Sequence, residues 1–153
     1  MKQSGYLYNN EAIAAIAIGY FMKLHKEIEV AKILCVLPFI LHEPSVKKLR
    51  NQSNKRSLEE FITKNTECVI GFNSRFLDFL PLSINVITIL AESRIIAIEK
   101  DRLVFNDASP FSPDNFSGIG NRAKNFFPAI RELHQLMLNE KTNSFYLKLK
   151  VTL

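Results

Sequence analysis

Cysteine is scarce in this sequence, and its spacing argues against a metal site. The chain has two cysteines, Cys35 and Cys68, and both lie in apolar stretches where a free thiol behaves as a small hydrophobic side chain. No CxxC pair and no cysteine–histidine spacing of a zinc ligand set occurs. We therefore expect two reduced, buried thiols, no metal and a reducing cytoplasmic environment.

Long apolar runs are also missing. Residues 12–22 form a run of 11 residues, and residues 33–41 form one of nine with Pro38 inside, whereas a membrane-spanning helix needs about 20. The first ten residues carry one charge, at Lys2, and show no signal-peptide pattern. These observations predict core helices, no membrane partner and a cytoplasmic protein.

Recognisable catalytic motifs are absent from the sequence. Its histidines are far apart, and none belongs to an HxxxH or HExxH pair; they are His25, His42 and His134. Gly118 and Gly120 precede a predicted helix but lack the third glycine and the preceding strand of a dinucleotide fingerprint. No GxSxG elbow surrounds a serine. We expect a protein that is not an enzyme, with no catalytic residues and no cofactor.

The sequence does have enough apolar material for one core. Its 153 residues are 47% hydrophobic, which suits a single compact domain over 1–153 better than two domains. The predicted fold class is mainly α with a small β component. We expect N-terminal helices in 1–45, a winged-helix core in 57–106, a loop in 107–120, and a C-terminal helix with a terminal strand in 121–153.

The predicted winged-helix core begins with three helical segments. Ser57 and Glu60 have the spacing of a capping box, in which each side chain satisfies a backbone N–H group, and they predict a helix over Leu58–Lys64. Apolar residues at helical spacing predict two further helices, over 66–80 and 82–91, separated by a proline.

A predicted β-hairpin completes this core. The β-rich runs 95–98 and 103–105 flank a short polar turn at Lys100 and Asp101. The composition then changes to Asn, Asp, Ser, Pro and Gly over 106–120, which indicates an irregular surface loop.

The flanking segments are predicted from caps and prolines. Asn9 or Asn10 is expected to cap the first helix, and a second helix is expected over 29–42 with a kink or an early end at Pro38. Pro44 suits the first turn of a short basic helix.

Two patterns occur near the C-terminus. Apolar residues at helical spacing predict a long amphipathic helix from Ala123 to about Glu140, perturbed at Pro128. Polar and apolar residues then alternate over 145–153, and this period of two predicts a strand at a sheet edge.

Positive charge is concentrated in one short stretch. The chain carries a formal net charge of +5, and the window with the most cations contains no acid; its cations are Lys47, Lys48, Arg50, Lys55 and Arg56. We expect this stretch either to contact DNA or to form a solvated connector. By contrast, the predicted third helix exposes Asn85, Thr88 and Glu92, which suits DNA reading poorly.

Two predicted helices have apolar faces that suit contact with another protein. The first helix is apolar on more than one side, so it is covered either by its own domain or by a partner. The candidate partner-interface residues are Ile13, Ile16, Tyr20 and Phe21 in the first helix and Leu82, Val86 and Ile89 in the third helix of the core.

Several segments together give the chain a family resemblance. They are Asn10-Glu11-Ala12, the apolar and histidine-containing run from Leu37 to Pro44, the helix-to-hairpin passage from Ile84 to Phe105, and Arg122-Ala123-Lys124. With these segments the chain resembles the middle components of three-component ABC ATPase systems, which include the small subunit of Lamassu-type anti-phage defence.

The resemblance implies a non-catalytic winged-helix subunit of an antiviral defence complex. Its expected partners are an SMC-like ABC ATPase, a nuclease-type effector, and DNA contacted through the complex. The alternative is a stand-alone winged-helix DNA-binding transcriptional regulator, which the net charge and the basic stretch favour.

Overall fold

A computed structural model describes the backbone of residues 2–51, 57–116, 118 and 120–152, and their side chains except those of residues 2–10, 122 and 123. The described chain is mainly helical with one small sheet. The helices are α1 (Lys2–His25), α2 (Val30–Ile33), α3 (Val36–Ile40), α4 (Glu43–Asn51), α5 (Leu58–Lys64), α6 (Phe72–Glu92), α7 (Gly120–Leu138) and α8 (Thr142–Leu149). The strands are β1 (Glu27–Glu29), β2 (Ile96–Glu99) and β3 (Arg102–Phe105), and short 3₁₀ turns cover Thr66–Cys68 and Pro113–Phe116.

The sheet is antiparallel and has the order β1-β3-β2. The predicted hairpin is confirmed, because Glu99 pairs with Arg102 across the two-residue turn. Strand β1 was not predicted. Its central residue Ile28 is buried opposite Leu103 of β3, so the sheet includes a strand that precedes the predicted 57–106 core by almost 30 residues.

One hydrophobic cluster runs from Ala14 to Leu149. Helix α1 lies between α6 and α7, and α3 packs against α4, α6 and α7. Phe39 of α3 is fully buried, with its ring centroid 4.8 Å from that of Phe72 and 6.4 Å from that of Phe145. The short, apolar α3 therefore connects α4, α6 and α7 within one core.

The predicted break at Pro81 is wrong, because α6 continues through it. A proline inside a helix costs about 3 kcal/mol in a lost hydrogen bond and steric conflict. Pro81 lies on the exposed side of α6, whereas Phe76 and Val86 before and after it are buried. Burial of large apolar side chains contributes about 1.5–3 kcal/mol each, which is sufficient to hold the helix together across the proline.

The N-terminal prediction is corrected in two ways. Helix α1 begins at Lys2, so neither Asn9 nor Asn10 is its cap. The predicted helix over 29–42 is instead β1 followed by α2 and α3, and the interruption falls at Leu34 and Cys35 rather than at Pro38. Pro38 occupies the first turn of α3, where a missing N–H leaves no helical bond unmade.

The predicted C-terminal strand is a helix. In α8 the residues at i and i+4, Phe145 and Leu149, are buried, while Leu147 between them is 79% exposed. Phe145 joins the aromatic cluster around Phe39, and the Tyr146 hydroxyl donates a hydrogen bond to the Ala31 carbonyl. Apolar residues two apart fit either a strand or a helix, and these contacts with preceding elements favour the helix.

Several local predictions are confirmed. The Ser57 hydroxyl accepts a hydrogen bond from the Glu60 N–H at 3.1 Å and caps α5. Pro44 lies in the first turn of α4 as predicted. The predicted C-terminal helix is present as α7, from Gly120 to Leu138 with Pro128 inside it. The stretch Thr66–Glu92 is long and apolar enough to cross a membrane by length and composition alone; in this fold one side of it is packed into the core.

Candidate nucleic-acid interface

Helix α4 separates its buried and cationic residues. Ser45 and Leu49 are fully buried, whereas Lys47 and Arg50 are exposed. Four residues of spacing place Ser45 and Leu49 on one face, and that face packs against the core. The two cations are therefore held at the surface by a helix that is anchored through its opposite side.

Lys48 differs from the cations beside it. Its ammonium nitrogen lies 3.4 Å from a carboxylate oxygen of Glu67, and both side chains are about half exposed. This pair offsets part of the charge of Lys48. The remaining cations of the predicted stretch, Lys55 and Arg56, lie outside the described residues, so their part in the prediction stays a prediction.

Helix α7 packs along α4 and extends its cationic surface. A groove of about 740 Å³ between them is lined by Glu43, Lys47 and Arg50 of α4, by Asn125 of α7, and by apolar side chains that include Val46 and Phe126. Lys124, next to Asn125, is exposed. The sequence analysis did not associate Lys124 with the basic stretch, because nothing in the spacing indicated that α4 and α7 would be neighbours.

The cations that line this groove, with the neighbouring Lys124, have the chemistry of a phosphate-contacting surface. Lysine, arginine and asparagine side chains donate hydrogen bonds to phosphate oxygens, and cations supply the salt-dependent part of nucleic-acid affinity. Among the described residues, Lys47, Arg50 and Lys124 have no ion-pair partner. Their charges are thus available to a polyanion.

The solvent-facing side of α6 has a different chemistry. Asn85, Thr88 and Glu92 are exposed as predicted, and no lysine or arginine occurs between Arg75 and Arg94. This surface does not present the cations of a helix that reads the major groove.

The predicted partner-interface residues divide into two groups. Ile16, Tyr20, Phe21 and Val86 are at most 8% exposed; they pack within the chain, between α1, α6 and the rest of the core, and in this fold they are not available to another subunit. The half-buried residues Ile13, Leu82 and Ile89 lie at the edge of that core. Their contact with a partner stays a prediction.

A histidine pair joins α1 to α7. The Nδ1 atoms of His25 and His134 are 3.0 Å apart, a contact in which one ring nitrogen donates and the other accepts. Burial, assisted by the neighbouring His134, lowers the pKa of His25 from 6.5 to about 4, and burial also lowers the pKa of His134. Both rings are therefore neutral near pH 7.

Beside this pair is a pocket of about 910 Å³ whose charges are largely paired with one another. The Lys148 ammonium is 2.9 Å from Glu140, and Arg102 Nε is 2.5 Å from Glu27. Lys32 donates to the Met137 and Glu140 carbonyls at the end of α7, where a cation opposes the negative end of the helix dipole. These contacts show that the charged residues of the pocket hold neighbouring elements of the fold together.

Metal binding has no visible site in the part of the chain that the structure describes. There, no three histidine, cysteine, aspartate or glutamate side chains lie close enough to share an ion. Cys35 and Cys68 are buried and free, and burial raises the pKa of both thiols.

A mainly helical chain with a cationic groove on one surface and exposed apolar side chains on another is suited to work as a subunit of a larger assembly. The comparison with protein families agrees. The chain belongs to the family described as ABC-three component (ABC-3C) system Middle Component 3, whose model matches residues 8–153. No curated protein and no solved structure matches it. Membership of an ABC three-component system confirms that part of the predicted resemblance and implies partner subunits.

Proposed function

We propose that this chain is a non-catalytic winged-helix subunit of an SMC-like ABC ATPase complex of the Lamassu anti-phage type, acting in the cytoplasm. There it would link or regulate a DNA-sensing ATPase and a nuclease-type effector. The observation that carries the proposal is the family match over residues 8–153, because a middle component of a three-component system acts together with other subunits.

The winged-helix part of the proposal is supported by the order of the elements. A helix, a strand, a series of helices and a hairpin follow one another, and the first strand pairs beside the second strand of the hairpin. The unit that this order suggests begins with α1, earlier than the predicted boundary at residue 57.

The non-catalytic part is supported by the state of the reactive side chains. A cysteine acts as a nucleophile through its thiolate, and burial raises the pKa of Cys35. The histidine pair is occupied by its own hydrogen bond, and the charged residues beside it are held in ion pairs.

The proposed DNA contribution comes from the groove between α4 and α7. Replacing Lys47, Arg50 and Lys124 by glutamate should weaken binding of the assembled complex to duplex DNA by at least about tenfold at moderate salt, and should make that binding less salt-dependent. Fluorescence anisotropy over a series of salt concentrations measures both effects. Assembly itself should be unchanged, because all three side chains are exposed.

A matched variant separates this effect from a change of net charge. Lys100, Lys141 and Lys150 are also exposed and belong to neither α4 nor α7, so replacing them by glutamate changes the net charge equally. Equal weakening by the two triple variants would contradict a specific role for the groove. Unchanged DNA binding in both would assign the basic stretch to solvated surface.

The subunit assignment is tested by affinity purification of the tagged chain expressed with its neighbouring genes, followed by mass spectrometry. Recovery of an SMC-like ATPase through moderate salt is the expected result. A chain recovered alone, as a monomer that binds duplex DNA tightly and in a salt-sensitive manner, would contradict the proposal and support the stand-alone regulator.

A further inference from the structure

The solvent-facing side of α6 exposes large apolar side chains at regular intervals. Ile70, in the turn before the helix, is 73% exposed, Leu77 is 45% exposed and Ile84 is 53% exposed. These positions are seven residues apart, and Ala91 continues the series. Large apolar side chains with this exposure are costly to leave in water, and a regular row of them indicates a contact surface.

Small residues lie between the large ones. Ser74, Pro81 and Thr88 occur four residues after Ile70, Leu77 and Ile84 respectively, and all three are exposed. Spacings of four and three residues that alternate are those of the a and d positions of a heptad repeat. We call the residues 74, 77, 81, 84, 88 and 91 of the helix the α6 seam, and Ile70 lies in the turn that precedes it.

The geometry of the α6 seam suits another helix. Large side chains at one heptad position and small ones at the other leave spaces into which the side chains of a facing helix can fit. The part of the seam from Leu77 to Ala91 is about 21 Å long at 1.5 Å per residue, which is enough for four helical turns of contact.

The flank of the seam is acidic and polar. Asp78, Asn85 and Glu92 follow the small positions by four residues and are exposed. Glu11 of α1 lies beside them and accepts a hydrogen bond of 2.7 Å from Asn85. Two cations bracket this flank in the sequence: Arg75 donates to the carbonyls of Cys68 and Ile70, and Arg94 is exposed beyond Glu92.

We propose that the α6 seam docks an amphipathic helix of a partner subunit, which has an apolar heptad seam and lysine or arginine along the flank that faces Asp78 and Glu92. Charges beside a heptad seam choose the partner, so acids on this chain select cations on the other. A second copy of this chain would bring like charges together. The inference rests on the proposed function for the existence of a partner, and it assigns the surface that the partner occupies.

Two double variants test the assignment in the complex co-expressed with the neighbouring genes. The first carries Leu77→Glu and Ile84→Glu. The second carries Leu138→Glu and Ile98→Glu, which lie outside the seam and match the first pair in residue type and closely in exposure, at 47% and 53%. Partner recovery and dissociation constants are measured by affinity purification and biolayer interferometry, and circular dichroism confirms that both variants fold.

The seam variant should lower affinity for the partner by at least about 30-fold, the size expected for removing central interface side chains, and the matched variant should change it by less than threefold. Equal retention of the partner by both variants would overturn the seam while leaving the subunit function intact. If the wild-type chain recovers no partner, the proposed function fails and this inference with it.

Other occupants of the seam give distinct results that would each overturn the proposal. A wild-type homodimer that the seam variant converts to a monomer, measured by light scattering, would assign the seam to self-association. Flotation of the wild-type chain with phosphatidylcholine and phosphatidylglycerol vesicles, lost in the seam variant, would assign it to a lipid surface.

A charge reversal provides an independent readout. Asp78→Lys with Glu92→Lys should weaken the same partner by about three- to tenfold at low salt, with the difference from wild type shrinking as salt is raised. An unchanged dissociation constant at low salt would exclude a cationic flank on the partner.

Discussion

The groove between α4 and α7 and the outer face of α6 are both exposed, yet their chemistry differs. The groove presents Lys47 and Arg50 on a helix anchored by buried residues, whereas α6 exposes Leu77 and Ile84 beside acids. A cationic surface binds polyanions through charge and released counterions, and an apolar seam binds protein through excluded water. The two proposed binding surfaces therefore suit partners of different chemistry.

Helix α3 supports the helices that form both surfaces. Helix α3 packs against α4, α6 and α7, and its Phe39 contacts the rings of Phe61, Phe72 and Phe145. Phe39→Ala should therefore lower the free energy of unfolding by about 3–5 kcal/mol, since it removes a fully buried ring and leaves a cavity. Urea denaturation followed by circular dichroism measures the change.

The control for this largest effect is Leu147→Ala. Leu147 is 79% exposed, so its removal should change the free energy of unfolding by less than about 0.5 kcal/mol. Hydrogen exchange on the Phe39→Ala variant should show lost protection in α4 and α6 together. Loss in one helix with full protection of the other would mean that the two surfaces are supported separately.

Low pH should weaken the packing of α1 against α7 before it weakens the packing of α1 against α6. Burial lowers the pKa of His25 to about 4 and also lowers those of His134 and His42, so the unfolded chain binds these protons more readily than the folded chain does. Stability is therefore full above about pH 6.5 and decreases as the pH falls toward about 4. Because the pair of His25 and His134 joins α1 to α7, the hydrogen-exchange protection of α7 should decrease before that of α6.

Hydrogen exchange at pH 7, 6 and 5 measures this order of loss. His25→Gln keeps a hydrogen-bonding side chain but does not titrate, so it should remove part of the pH dependence. A decrease in protection that is equal in α6 and α7, or a His25→Gln variant with the full pH dependence of the wild type, would show that the pair is not the origin of the effect.

Short sequence motifs correctly predicted the elements that are stabilised by residues adjacent in the sequence. The Ser57 cap and the hairpin turn at Lys100 are each specified by a few adjacent residues. The wrong predictions concern elements whose secondary structure depends on contacts with residues far away in the sequence. Strand β1 forms because it pairs with β3. The C-terminal segment forms helix α8 because Phe145 packs beside Phe39.

The groove and the outer face of α6 could be predicted only in part, because both depend on how the helices pack together. Lys47 and Arg50 could be identified from the density of cations, whereas Lys124 joined them only through the packing of α7 on α4. On α6 the predicted interface residues include Val86, which is buried, and omit Leu77 and Ile84, which are exposed. Helical periodicity shows that a helix has faces, but when several faces are apolar it does not show which one the core covers.

The ion pair between Lys48 and Glu67 joins α4 to the turn that precedes α6. Lys48 belongs to α4, and Glu67 belongs to the 3₁₀ turn that leads into α6. Both side chains are about half exposed, so the pair contributes only about 0–1 kcal/mol to stability.

Glu67→Gln should therefore leave the melting temperature nearly unchanged while freeing Lys48 for phosphate. We expect duplex DNA to bind the complex roughly two- to fivefold more tightly at low salt, with the salt dependence increased by at most about one phosphate contact. The same variant should leave partner binding at the α6 seam unaltered, because Glu67 precedes the seam. Fluorescence anisotropy and biolayer interferometry on one preparation measure both quantities. A change in partner affinity without a change in DNA affinity would mean that Glu67 serves the apolar surface rather than restraining the cationic one.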